Sequence, residues 1–259
     1  MIPLPPPLLA LDGVCKRFGV IEALRDIEPE THAGQALILL GYDGAGKPTL
    51  VKVISGVAPA DKGSIEREGR TVHIPRPQEA RDLGIATVCQ DLALCTDLDA
   101  VGDLFLGPEI RRFGFLDEVE TERGSRQLLE RLTRSVPELR GPLVPLSVGR
   151  RQTVASARSL LGDPHALLLG EPTAAPELGQ TTEVLDLLDR LRHNALGIPL
   201  ISHNMADVEA LANRAAVLRL GRDNGIFDVS TTSREQIVSS ITGATDNTPR
   251  RPAHREAEW

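Results

Sequence analysis

The junction near residue 40 narrows the folding choices more than any other feature of the sequence. An apolar run, Ala36–Leu40, stops at Gly41. A stretch holding Gly44 and Gly46 follows, and then Leu50, Val51, Val53 and Ile54 recur at helical spacing up to Gly56. A short apolar run that ends in glycine reads as a buried strand, and the recurrence after it as a helix with one apolar face. Strand, glycine-rich loop and helix in that order open a βα unit, and such units build a mostly parallel sheet with helices on its faces.

The rest of the chain continues the alternation. Leu8–Glu28 is strand-like with a turn around Gly19, and Gly63–Ile74 reads as a hairpin with Glu68 and Gly69 at its turn. Pro77–Leu83 suits a short helix and Ile85–Cys89 a buried strand. From about Val101 to Glu138 the chain is charged and helical, with Leu128, Leu129 and Leu132 on one face; it reads as part of an inserted lobe over about 101–148. Val154, Ala157 and Leu161 share a helix face, and Ala166–Leu169 is a strand. Val184, Leu187, Leu188 and Leu191 follow the rule of an amphipathic helix. Leu200–Ser202 and Ala215–Leu220 are short strands. Ser233 and Gln236 make a capping box for a last helix to about Thr242. The fold class is α/β: a mostly parallel sheet flanked by helices, with an antiparallel N-terminal β portion and the helical lobe inserted. One domain spans 1–245, and the polar, Pro/Arg-rich stretch 246–259 reads as a disordered tail.

Composition removes several function classes. The 41% hydrophobic and 25% charged fractions are those of an ordinary globular protein. A net charge of -7 without a long basic run argues against nucleic acid as a partner. Cys15, Cys89 and Cys95 form no metal or disulfide pattern and read as reduced thiols of the cytoplasm. Met1–Ala10 carries four prolines and no basic residue, so it reads as neither a signal peptide nor a membrane span.

Five short segments carry chemistry. In Gly41, Tyr42, Asp43, Gly44, Ala45, Gly46, Lys47, Pro48 and Thr49, the order strand, loop, helix sets backbone N–H groups around a polyphosphate, and Lys47 reaches the phosphates. The phosphate-loop pattern asks for Ser or Thr directly after the lysine, where this chain has Pro48; an ordinary glycine-rich turn fits the same residues. A dinucleotide fingerprint fails because Thr49 stands at its last glycine, and a nucleophile elbow around Ser147 fails at Pro145. The apolar strand Ala166–Leu169 leads through Gly170 to Glu171, a carboxylate that a strand end can aim as a general base. Leu146, Ser147, Val148, Gly149 and Arg150 sit at a helix start that can face an anion or simply be capped by Ser147. Ile201 and Ser202 lead to His203, and the Ile85–Cys89 strand leads to Gln90. Taken singly, a histidine at a strand end is more often structural than catalytic, and Gln90 alone says almost nothing.

In this order the five resemble the ABC transporter ATPases. The resemblance runs from about Leu8 to Ala244. It makes Gly41–Thr49 the Walker A loop and Gln90 the Q-loop glutamine, a contact of Mg²⁺. LSVGR at 146–150 becomes the signature, Glu171 the catalytic carboxylate after Walker B, and His203 the switch histidine. Phe18 becomes the aromatic that stacks on adenine. Asp91–Gly107, Glu171–Ala175, Ser202–Val208 and Ile241–Thr245 are similar to the ribose- and xylose-type sugar importers. The resemblance implies ATP and Mg²⁺ as cofactors and a homodimer or heterodimer in which Ser147 and Gly149 face the partner's loop. It also implies a membrane permease as partner, a periplasmic or lipid-anchored sugar-binding protein acting through it, and a place on the cytoplasmic side of the membrane. Two departures touch the same ion. The family's Ser and Asp magnesium ligands correspond to Pro48 and Gly170, so the ion is expected to be held weakly. Val148 replaces a signature glycine, and strain is expected if the loop needs positive φ there. The alternative is a pseudo-ATPase that binds and regulates with impaired hydrolysis. A soluble relative acting on ribosomes or DNA is a third reading, disfavoured by a single domain and the net charge.

Overall fold

The computed structural model describes residues 6–88, 92–95, 97–132, 139–172 and 178–248, and of 178–180 the backbone alone. The chain order is β1 (Leu9–Phe18), β2 (Ile21–Ile27), β3 (Glu30–Thr31), β4 (Ala36–Leu40), α1 (Lys47–Ile54), β5 (Lys62–Arg67), β6 (Arg70–Val72), α2 (Pro77–Asp82) and β7 (Ile85–Val88). It continues with α3 (Ala100–Leu104), β8 (Arg111–Arg112), β9 (Phe115–Leu116), α4 (Glu118–Leu132), α5 (Val148–Ser159), β10 (Ala166–Gly170), α6 (Leu178–His193) and β11 (Ile198–Ile201). α7 (Met205–Leu211), β12 (Arg214–Arg219), β13 (Arg222–Asp228) and α8 (Arg234–Thr242) complete it.

A six-stranded sheet runs β13-β12-β4-β11-β10-β7 and is parallel except for β13, which pairs antiparallel with β12. β4 lies inside it, and all five of its residues are buried, which is why its sequence is continuously apolar rather than alternating. A second, antiparallel sheet runs β2-β1-β5-β6, with β3 on β1. Its hairpin turns where Glu68 and Gly69 both take positive φ, the twist that closes a tight hairpin. One apolar cluster lies between this sheet, α1 and one face of the large sheet (Leu24, Ile27, Leu39, Leu50, Leu168). The other fills the opposite face and reaches the lobe through Leu104, Leu129 and Leu143.

Several expectations need revision. The stretch read as wholly helical holds an exposed hairpin, β8 and β9, between α3 and α4. Leu161 lies beyond the end of α5, although Val154 and Ala157 face the core as expected. α7 and β13 were not anticipated. Asp246–Thr248, grouped above with the tail, are held in place: Asn247 N–H donates to Asn224 Oδ1 at 2.8 Å, and its side chain donates to Ser240 Oγ. No helix among the described residues is long and apolar enough to cross a membrane.

Candidate functional site

β4, β11 and β10 are neighbours running the same way, so Gly41, Ser202 and Glu171 emerge side by side at their carboxyl ends. Open α/β sheets bind ligands at this edge. The loop after β4 is folded by its glycines. Gly41 has φ 147, and a Cβ there would lie 2.3 Å from the Leu218 carbonyl oxygen; Gly46 has φ 104, and its Cβ would meet the Ala23 carbonyl at 2.7 Å. The loop is thus pressed between β12 and β2. The turn at Gly221 ties the three together: its N–H donates to the Ala45 carbonyl at 3.1 Å, and its own carbonyl accepts from Arg25 N–H at 2.7 Å.

Lys47 begins α1 yet is only 3% exposed. Its ammonium donates to the Gly41 carbonyl at 2.5 Å and the Tyr42 carbonyl at 3.1 Å. Burial pulls its pKa below the usual lysine value, and the Asp43 and Glu171 carboxylates oppose that fall. The start of α1 has no side-chain cap and no acidic residue in its first turn. The amides of Gly46, Lys47 and Thr49 therefore precede any helical acceptor, and Pro48 has no N–H to add. Asp43, Gly44 and Pro48 face solvent while Thr49 is half-buried.

Glu171 follows β10 at φ 47, a left-handed position that costs a residue with a side chain. Its Oε1 lies 3.8 Å from Nδ1 of exposed His203. A network that the sequence reading missed fixes the turn beneath His203. The buried Ser202 hydroxyl donates to Asp207 Oδ2 at 2.9 Å and accepts from Asn204 N–H at 3.0 Å, and the Asn204 side chain caps α7. Asn204 before Met205, Val208 and Leu211 was the available signal.

The other candidates lie on other elements. Phe18 is half-exposed at the end of β1, with Lys16 Nζ 5.6 Å from its ring centre. Ser147 caps α5, accepting from Arg150 N–H at 3.3 Å, and Gly149 is buried in its first turn. Val148 is the first residue of that helix and is absent from the positive-φ positions, so the strain expected there does not arise. Gln90 lies outside the described residues, just beyond β7. Beside β7 a cleft of about 970 Å³ separates the sheet from the lobe, lined by Thr87, Leu104, Leu106, Arg158 and Ser159 among others.

The glycine cradle, the uncapped helix start and the buried ammonium fit the polyphosphate of a nucleotide. No group of three or more His, Cys, Asp or Glu is placed to hold a metal ion among the described residues. A divalent ion at this edge would rest chiefly on phosphate oxygens, with Thr49 and Glu171 as nearby side-chain oxygens.

The ABC transporter family profile matches residues 24–174, more than half of the chain. The chain is 37% identical over 92% of its length to a putative ribose/galactose/methyl galactoside import ATP-binding protein of Burkholderia cenocepacia, and spans 46% of that protein, about half its length. It is 35% identical over 92% of its length to the fructose import ATP-binding protein of Rhizobium meliloti, covering 95% of it. The fold matches the ADP conformation of an ATP-binding cassette of an ABC transporter, with TM-score 0.78, 22% identity and coverage of 91% of this chain and 95% of that one. Nothing in these likenesses supports the pseudo-ATPase alternative.

Proposed function

The chain belongs to the ABC transporter ATP-binding family, and from that premise we propose that it is the nucleotide-binding subunit of a sugar importer. In this reading one nucleotide-binding domain spans 1–245 and works at the cytoplasmic face of the membrane beside a separate permease. The observation that carries it is the buried Lys47 ammonium, set in a glycine cradle within electrostatic reach of Glu171. The names of the relatives support sugars as the cargo.

Lys47 trades the Gly41 and Tyr42 carbonyls for phosphate oxygens, and the amides of Gly46 and Thr49 hold the same anion. Phe18 offers its exposed ring to the base. Magnesium, when bound, neutralises charge between phosphates. Neither Pro48 nor Gly170 would bring it a side-chain oxygen, so this chain would hold it weakly, with phosphate and, by family resemblance, Gln90 as its remaining contacts. Glu171 accepts the proton of the attacking water, and His203 marks the phosphate side of that carboxylate. Ser147 and Gly149 of a second copy, or of another ATP-binding subunit, close the site from outside. The cleft beside β7 receives the permease, through which a sugar-binding protein acts indirectly.

The test is magnesium-dependent ATP hydrolysis by the purified chain beside a Pro48→Ser/Gly170→Asp variant. Hydrolysis by wild type, raised in the variant, supports the reading. A wild type that neither binds nor cleaves ATP sinks it.

A further inference from the structure

One guanidinium spans the wall of the cleft beside β7. Arg158 stands in the last turn of α5, the 12-residue helix that Ser147 caps at its other end. Its Nη1 donates to the Ala93 carbonyl at 3.1 Å and lies 3.2 Å from Asp103 Oδ2, while Nη2 donates to the Leu92 carbonyl at 3.1 Å. Asp103, in α3 of the lobe, has 0% of its surface exposed, and its Oδ1 also accepts from Cys95 N–H at 2.8 Å. The segment 92–95 is therefore gripped from α5 and from α3 together. It is held at a cost, since Ala93 sits at φ 48. This segment begins two residues after Gln90.

We propose that Arg158 is a positioning residue. With Asp103 it latches the chain beyond Gln90 to the helix that Ser147 begins and to the lobe. A change at the nucleotide edge then reaches the cleft as one movement. The planar fork of arginine reaches two carbonyls and a carboxylate at once, which the point charge of lysine does not. A buried Asp103 needs its cation, because an unpaired carboxylate at that depth is strongly disfavoured. The latch rests on the nucleotide-binding reading above only for what it transmits, not for its existence.

Cys95 is a reporter within the gripped segment, and Cys15, a partly exposed thiol in β1, is an internal control. The experiment follows iodoacetamide labelling of each cysteine by peptide mass spectrometry, with and without Mg-ATP, in wild type, Arg158→Lys and Asp103→Asn. ATP binding is measured by calorimetry on the same samples. In Arg158→Lys, Cys95 labelling without nucleotide should rise about tenfold as the segment opens locally, with Cys15 unchanged. Asp103→Asn should do the same. Mg-ATP should alter Cys95 labelling in wild type and not in Arg158→Lys, although both bind ATP with the same affinity. Wild-type labelling in Arg158→Lys, a matching rise at Cys15, or a preserved response to Mg-ATP each overturn the proposal. A wild type that binds no ATP ends the nucleotide reading, and the nucleotide-free labelling still decides the latch.

Discussion

Two helices begin in opposite ways. α8 closes its N-terminus with a full capping box: Ser233 Oγ accepts from Gln236 N–H at 3.3 Å, Gln236 Oε1 accepts from Ser233 N–H at 3.0 Å, and Glu235 sits in the first turn. α1 has no side-chain cap, no acid in its first turn and a glycine before it. Each capping interaction lends about 0.5–2 kcal/mol to folding. α1 forgoes that support and leaves its donors aimed at the edge where β4, β10 and β11 end. A helix start satisfied from within holds structure, whereas one left open holds an anion.

The largest effect should come from emptying the open end. Lys47→Ala removes a charge-assisted partner worth about 1.5–3 kcal/mol, or about 10- to 150-fold in ATP affinity. Calorimetry should show that loss while the melting temperature holds or rises, because the buried ammonium is unfavourable to folding. A fall in both would mean that Lys47 is a structural cap like Ser233.

The next effect concerns a buried charge on β13, the strand that follows the Gly221 turn. Asp223 is 3% exposed; its Oδ2 accepts from Glu28 N–H at 2.6 Å and its Oδ1 has no hydrogen-bond partner. Burial raises its pKa from 3.8 to about 6; the Glu28 N–H bond resists that rise, and the Glu28 and Asp26 charges add to it. The folded state keeps this proton at pH values where the unfolded chain has released it. Wild-type stability therefore falls as pH climbs from the ordinary carboxylate range to about 6, then stays low. Asp223→Asn should gain on the order of 2 kcal/mol above that range and nothing below it. Denaturant unfolding at several pH values checks the sign.

Smaller still, Pro48→Ser restores one N–H to the loop and should tighten ATP binding by about tenfold, without stabilising the fold. The smallest should be Ser233→Ala, which lowers stability by about 1 kcal/mol and leaves ATP binding alone. If it weakened ATP binding, the contrast between the two helix starts would fail.

The sequence was most readable where side chains are apolar and local rules suffice. Ala36–Leu40 was delimited to the residue, and Ser233 with Gln236 announced α8. β13 went unread because Asp223 and Asn224 face inward, where a strand normally shows apolar residues. Asn224 there binds the Ser240 and Thr245 carbonyls at 2.7 and 3.2 Å. The β8–β9 hairpin is exposed on every residue and leaves no alternation to detect. At the edge itself, Gly41, Gly46 and Lys47 could be found from spacing. The Ser202–Asn204–Asp207 network was legible only in its Asn204 cap; the Ser202–Asp207 bond depends on where β11 ends and α7 begins. Val148 shows the reverse error: the backbone strain expected of it is absent, because it sits in the first turn of a helix and needs no positive φ.

Glu171 holds its carboxylate at φ 47, a conformation that costs an ordinary residue about 1 kcal/mol and glycine almost nothing. Random substitution at that codon would be rewarded by folding whenever it produced glycine. The acid thus stands uphill on the stability landscape, at a point where neutral drift runs toward its removal. The catalytic role proposed above for Glu171 is what would offset that cost.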